Sequence, residues 1–256
     1  MIKTETNLPD ISEIPEKNHP PAKRRADIPS IILMAVTAVL ITAAGFYYKQ
    51  HPLHILPLYV SLVIGALQAK ANRVASLLGG INSILYALVY LYLGLYASAL
   101  YAILFSCPVQ LVTFVRWNQR KYGSSTLFRK MTAMERIVVS AAFVISVAAV
   151  MFILKLLKSD YSFIDSLSSL MGILISFLTM FAFIEYTWLM LPNGIIGIFL
   201  NIATMKVHPE QMTYLIFSFY SLICVTRGLF RVRGLYKEQQ LEMIREKALS
   251  DIDSNE

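Results

Sequence analysis

Residues 74–115 read VASLLGGINSILYALVYLYLGLYASALYAILFSCPVQLVTFV, with no Asp, Glu, Lys or Arg anywhere among them. One membrane-crossing helix takes about 20 apolar residues, and this stretch is roughly twice that long. It reads as two crossings, 74–93 and 96–115, turned back on each other at Gly94–Leu95. No alternation with a period of two runs through it, so helices are expected, which satisfy their own backbone in hydrocarbon.

Outward from this pair the pattern recurs. Apolar spans at 28–48 and 55–71 precede it, and spans at 137–157, 162–185, 187–205 and 211–228 follow. The second is the weakest, because Gln68 and Lys70 shorten its apolar part. Of 256 residues, 56% are apolar and 15% charged, against about 25% charged in an ordinary soluble domain. The charges collect in an N-terminal tail, a central loop and a C-terminal tail. The expectation is an all-α membrane protein with about eight transmembrane helices.

The sidedness of the basic residues gives an orientation. With the N-terminus cytoplasmic, nineteen Lys and Arg fall on the inner side and only Lys49, Lys155, Lys158 and Lys206 on the outer. Both termini are then cytoplasmic. Residues 1–27, with Pro9, Pro15, Pro20 and Pro21 among mixed charges, read as a disordered tail. So long a polar leader argues against a cleavable signal peptide. The net charge of +7 lies beside apolar spans and lacks the signature of a nucleic-acid reader. Cys107 and Cys224 fall inside spans as packing residues, and His19, His51, His54 and His208 show no metal-ligand spacing. Trp117, Tyr122, Tyr161 and Tyr47–Tyr48 lie near expected interfaces and read as anchors.

Setting aside the first and fifth spans leaves two groups of three, 55–115 and 162–228. Each carries an early Asn in its second helix, Asn82 and Asn193, and each ends on a Thr followed by Arg, Thr113 to Arg116 and Thr226-Arg227. One linking span between the groups makes both start from the same side, so the repeat is parallel, as in some transporters. The expected organisation is a cytoplasmic tail (1–27), an extra N-terminal helix (28–54) and a first three-helix repeat (55–115). A basic loop with the linking helix (116–161), a second repeat (162–228) and a charged tail (229–256) complete it.

Polar groups in hydrocarbon are costly and mark function. The candidates for binding a substrate are Asn82, Gln110, Trp188 and Asn193, followed by Gln68, Tyr86, Asn201 and Tyr220. Amides provide donors and acceptors, and aromatic faces suit a planar ring. The competing role for each is hydrogen bonding between helices. Asp165 and Glu185 sit near span ends, and neither an intramembrane carboxylate nor a GxxxxGK[ST] loop is present, so facilitated diffusion is the simplest mechanism. Paired carboxylates, His-rich motifs or a nucleophile beside a base are likewise missing from the sequence, so an enzyme is not expected, nor a cofactor. A non-transporting membrane scaffold remains the reading from another class. Pro108 and Pro192-Asn193-Gly194 offer hinges or fixed kinks.

The stretch 65–117 resembles the first half of PnuC-type transporters, known historically as nicotinamide mononucleotide transporters and now regarded as nicotinamide riboside carriers. The matching residues are Gly79-Gly80-Ile81-Asn82 with Tyr86, Gly94-Leu95-Tyr96, and Pro108-Val109-Gln110 running to Trp117. The stretch 165–233 resembles the second half, from Asp165 through Glu185 to Trp188 and Asn193. The resemblance implies a duplicated SWEET-like bundle in a bacterial cytoplasmic membrane. It also implies uptake of nicotinamide riboside for NAD synthesis, with trapping by a cytoplasmic kinase, and it leaves a homo-oligomer open. Members resemble one another in carrying two tryptophans three residues apart. Here Trp188 has Glu185 and Leu191 at those distances. Thiamine, riboflavin or a deoxynucleoside are therefore alternative substrates.

Overall fold

A computed structural model describes residues 28–92, 96–156, 163–206 and 209–253. The tail 1–27, the Gly94–Leu95 turn, Tyr161, Lys158 and His208 lie outside the described residues, as do the side chains of Tyr90, Lys155 and Asp165.

Eight long helical segments appear among the described residues: α1 (Ile28–Tyr47), α2 (Pro52–Ala69), α3 (Val74–Tyr92), α4 continuing into α5 (Tyr96–Tyr101 and Cys107–Gln119), α6 (Ala133–Leu156), α7 (Phe163–Met180), α8 (Tyr186–Met205) and α9 (Met212–Asp253). Five are long and apolar enough on their own to cross a membrane, namely Ile28–Tyr47, Pro52–Ala69, Ala99–Gln119, Tyr186–Met205 and Pro209–Ile252. Between α4 and α5 a π-helical turn, Ala102–Ser106, precedes Pro108, and the Cys107 N–H bonds back to Ala102. Proline lacks the N–H for the helix ladder, and the widened turn absorbs that loss. By contrast, α8 runs on as helix through Pro192.

Helix contacts close a ring. α2 packs on α3, α3 on α5, α5 on α7, α7 on α8, α8 on α9, and α9 returns to α2. α1 lies outside against α2 and α9, with Ile41, Leu58 and Leu62 at the contact, and α6 lies outside against α7. The C-terminal ends of α2 and α7 are built alike. Ala71 and Ala182 both take positive φ, 51° and 57°. The N–H of Asn72 reaches Leu67 O (3.0 Å) as that of Phe183 reaches Leu178 O (3.0 Å). Ala71 N–H to Gln68 O and Ala182 N–H to Thr179 O, both 2.9 Å, complete the two Schellman-type caps.

Three features at the basic end of the ring go beyond what the sequence predicts. The central loop carries a hairpin, β1 (Lys121–Tyr122) and β2 (Ser125–Thr126), turned at Gly123 with φ +57°. The linking helix begins at Ala133 rather than 137, because Thr132 and Glu135 form a reciprocal capping box (Thr132 N–H to Glu135 Oε2, 2.8 Å; Glu135 N–H to Thr132 Oγ1, 3.2 Å). The helix of the last span does not stop at 228. α9 runs for 42 residues in all, and the charged tail as far as Asp253 is its unbroken extension. The first turns of that extension are buried: Val232 and Leu235 pack with Phe128, Met131 and Phe183. Gln239 donates to Thr126 O (2.9 Å) and accepts from Phe128 N–H (2.9 Å). The chain after the hairpin also pairs with the α7–α8 junction, where Arg129 N–H meets Ala182 O and Ile184 N–H meets Arg129 O, 3.0 Å each. Glu185 receives Arg136 at 3.0 Å and Met131 N–H at 3.1 Å.

Candidate functional site

The ring encloses two adjoining cavities. The first, about 220 Å³, receives side chains from all six ring helices, among them Ser76, Thr113, Trp117, Ser176, Tyr186 and Cys224. The second, about 230 Å³, lies between α2, α3, α5 and α9 and is bordered by Ser61, Asn82, Ser83, Tyr86 and Ser106. Gln68 and Gln110 line both, so a pair of amides stands where the cavities meet. A Cβ at Gly79 would come within 3.1 Å of the Gln110 amide. The amide therefore lies directly against the Gly79 backbone, and a side chain there would displace it by a few tenths of an ångström.

Asn82 is 4% exposed. Its Nδ2 donates to Ser61 Oγ at 2.8 Å, and Ser61 spends its own hydrogen on Pro57 O at 2.8 Å. Ser61 therefore only accepts from Asn82, which fixes the amide orientation. The Asn82 Oδ1 is buried with no hydrogen-bond partner among the described residues. A buried acceptor without a donor costs on the order of 1–3 kcal/mol, and this one borders a cavity. Nearby, Ser83 is paired with Ser106 (2.9 Å) and donates to Gly79 O (3.0 Å).

The tryptophans exchange the places expected for them. Trp117 is 4% exposed rather than an interface anchor, and it forms a wall of the first cavity. Its ring meets Phe128 edge-on at 5.6 Å, and its N–H donates to Thr179 O at 2.8 Å. Trp188 is 53% exposed, lines neither cavity, and lies beneath the Arg233 guanidinium, 3.6 Å from the ring centroid. The helical period explains it: α8 turns Thr187 and Met190, three apart, to the cavity, and Trp188 falls off that face.

The structure thus brings Gln68, Asn82, Tyr86 and Gln110 together around one cavity. It leaves Trp188, Asn193, Asn201 and Tyr220 outside both linings. Asn201 donates to Ser218 at 2.8 Å, joining α8 to α9. Tyr220, 2% exposed, donates to Leu62 O at 2.6 Å and packs on Gly65, joining α9 to α2. Trp117, Thr113 and Tyr186 are lining residues that sequence reasoning missed. For the first two a signal exists: Gln110, Thr113 and Trp117 fall at i, i+3 and i+7, one face of α5.

Both cavities are lined by neutral side chains, a mixture of amides, hydroxyls, aromatic rings and aliphatic groups. Such a lining can hold a small molecule by hydrogen bonds and ring contacts. Among solved structures, the crystal structure of the vitamin B3 transporter PnuC is similar in fold, with a TM-score of 0.68 at 18% identity. The likeness covers 82% of this chain and 92% of that one. Among curated proteins none matches. A family model described as nicotinamide mononucleotide transporter matches residues 51–229, from α2 to the first part of α9. On that match the chain belongs to the nicotinamide mononucleotide transporter family, a family of membrane transporters.

Proposed function

We propose that the protein carries nicotinamide riboside, or a vitamin B3 compound of that shape, across a bacterial cytoplasmic membrane by facilitated diffusion. The observation that carries this reading is the unpartnered Asn82 Oδ1 beside a cavity in a chain of this transporter family. A ribose hydroxyl or a carboxamide N–H supplies the donor that this oxygen lacks. The Gln68 and Gln110 amides take the complementary groups, and the Trp117 face receives the planar ring. A cationic pyridinium gains further from an aromatic face.

The neutral linings favour passive movement, since coupled carriers usually place a carboxylate in the membrane. Net uptake is then sustained by phosphorylation of the arriving substrate in the cytoplasm, which feeds NAD synthesis. In this reading α1 to α9 make eight crossings with both termini in the cytoplasm. The repeats are α2-α3-α5 and α7-α8-α9, parallel and linked by α6. The closed ring, in which each group of three helices is contiguous, and the twin caps at Ala71 and Ala182 support the duplication. The shift that carries Ala71 to Ala182 also carries Asn82 to Asn193 and Trp117 to Gly228.

Uptake of labelled nicotinamide riboside into proteoliposomes tests the proposal, with thiamine, riboflavin and deoxynucleosides as competitors and a proton uncoupler as a control. Saturable uptake, blocked by excess unlabelled nicotinamide riboside and indifferent to the uncoupler, is expected. Blockage by one of the other compounds instead would reassign the substrate. Abolition by the uncoupler would replace diffusion with proton coupling.

A further inference from the structure

We propose that the groove between the C-terminal ends of α5 and α7, with Arg129 of the chain after the hairpin beside it, binds the phosphate of an anionic phospholipid. A pocket of about 420 Å³ lies there, with Arg116, Arg120 and Arg129 in its lining and no carboxylate. Arg116 lies over the Phe181 ring at 4.4 Å. Arg129 lies over Phe183 at 3.9 Å and reaches Glu135 at 3.5 Å, and its Nε is buried without a partner. The Arg120 guanidinium has no hydrogen-bond or ion-pair partner among the described residues. Three guanidiniums around one pocket repel each other and attract an anion, and their forked donors match phosphate oxygens.

The surroundings distinguish a lipid from a soluble phosphate ester. One helical turn from Arg116 and Phe181, toward the middle of the bundle, Val112 and Phe177 are both exposed, with Val115 beside them. A basic pocket one helical turn from exposed apolar side chains suits a headgroup with its acyl chain, as basic pockets between membrane helices do. The duplicated position repeats the chemistry. A pocket of about 400 Å³ between α9 and α2 is lined by Lys70, Arg227 and Arg231 beside Phe230. The shift that relates the two caps carries Arg116 to Arg227 and Arg120 to Arg231. There Arg227 is already engaged with Ser30 of α1, so the α5–α7 pocket is the one assigned. The proposal requires only that the chain lies in a bilayer; it does not depend on which compound is carried.

Trp117 borders this pocket as well as the first cavity, and the sequence holds two tryptophans. In a Trp188→Phe background Trp117 is therefore the sole tryptophan and reports on the pocket. The full chain in detergent micelles is titrated with phosphatidylglycerol brominated on its acyl chains, and separately with brominated phosphatidylcholine. Quenching of Trp117 at lower concentrations of the anionic lipid is expected. Arg116→Gln with Arg120→Gln should shift the curve by about twenty- to thirtyfold, while Arg116→Lys with Arg120→Lys, which keeps both charges and loses the forked donors, should shift it by less. Should the double glutamine variant fail to fold, Arg120→Gln alone serves, because that guanidinium holds nothing in place. Equal quenching by the two lipids, or no shift in the glutamine variants, overturns the proposal. Reversal of quenching by soluble glycerol phosphate also overturns it, assigning the pocket to a water-soluble phosphate.

Discussion

The indole N–H of Trp117 donates to the backbone oxygen of Thr179 over 2.8 Å, joining the end of α5 to the end of α7. The same oxygen accepts the Ala182 N–H of the α7 cap. Trp117 is therefore both a cavity wall and a tie between the two halves of the ring. In the proposed duplication the corresponding position is Gly228, where α9 meets α2 and a Cβ would come within 3.1 Å of Gln68 O. One junction is spanned by an indole and the other by close backbone packing, so the large aromatic ring enters the cavity from one side.

Trp117→Ala should lower uptake by at least about tenfold, because it removes a ring worth on the order of 3–5 kcal/mol when buried. Trp117→Phe keeps a ring and loses the N–H, and should retain most substrate affinity with a lower melting temperature. Trp188→Ala should change uptake by less than about twofold, since exposed positions rarely matter by more than about 0.5 kcal/mol. Uptake and thermal unfolding of the three variants check this. A large loss at Trp188 with none at Trp117 would reverse the assignment.

Asn82→Ala removes one hydrogen bond to Ser61 and one unsatisfied acceptor, effects of opposite sign and each about 1 kcal/mol. Apo stability should barely move. Substrate affinity should fall by about tenfold, visible as a smaller ligand-induced rise in melting temperature. A destabilised apo protein with unchanged affinity would make Asn82 a purely structural residue.

Gln239→Ala leaves Thr126 O and Phe128 N–H without their buried partners. The expected cost is on the order of 2–4 kcal/mol. Hydrogen exchange should accelerate from Lys121 to Met131 and along α9 beyond Val232, with the ring helices unaffected. Unchanged exchange in both segments would show that the clamp contributes nothing.

Tyr122 in the hairpin has its pKa pushed up to about 12, first by burial and then by its hydrogen bond to Glu242. The unfolded phenol ionises near pH 10, so the neutral form is the one the fold prefers. The resulting stabilisation is fully present below pH 10 and is lost as pH rises toward 12. Hydrogen exchange of the hairpin should speed up across that window, and Tyr122→Phe should remove this component. An identical alkaline response in the phenylalanine variant would place the sensitive group elsewhere.

Hydrophobic runs fix the number of long helices because the length of an uncharged stretch sets what spans a bilayer, and the positions of Asn82 and Gln110 followed from their cost in hydrocarbon. Packing direction was harder to read. Trp117 beside Arg116 has the composition of an interfacial anchor, and only its phase with Gln110 and Thr113 separates a lining residue from an anchor. Trp188 has the right chemistry one step off the right face. The α9 extension was obscured because the arrival of charges at Arg227 marks where hydrocarbon ends, not where a helix ends. No glycine or proline sufficient to stop it follows; Gly228 and Gly234 are accommodated within the helix.

The unbroken α9 has a mechanical consequence. At 1.5 Å per residue, the part beyond Gly228 forms a stiff arm about 37 Å long. A tilt of about 10° in its anchored portion would sweep the far end through roughly 6 Å, at that rise per residue. Gln239 couples this arm to the strand β2, so a tilt of α9 would be delivered to the hairpin and the far end of the arm. A spectroscopic probe at Ser250, far from any transported molecule, would register motion of the buried helices directly.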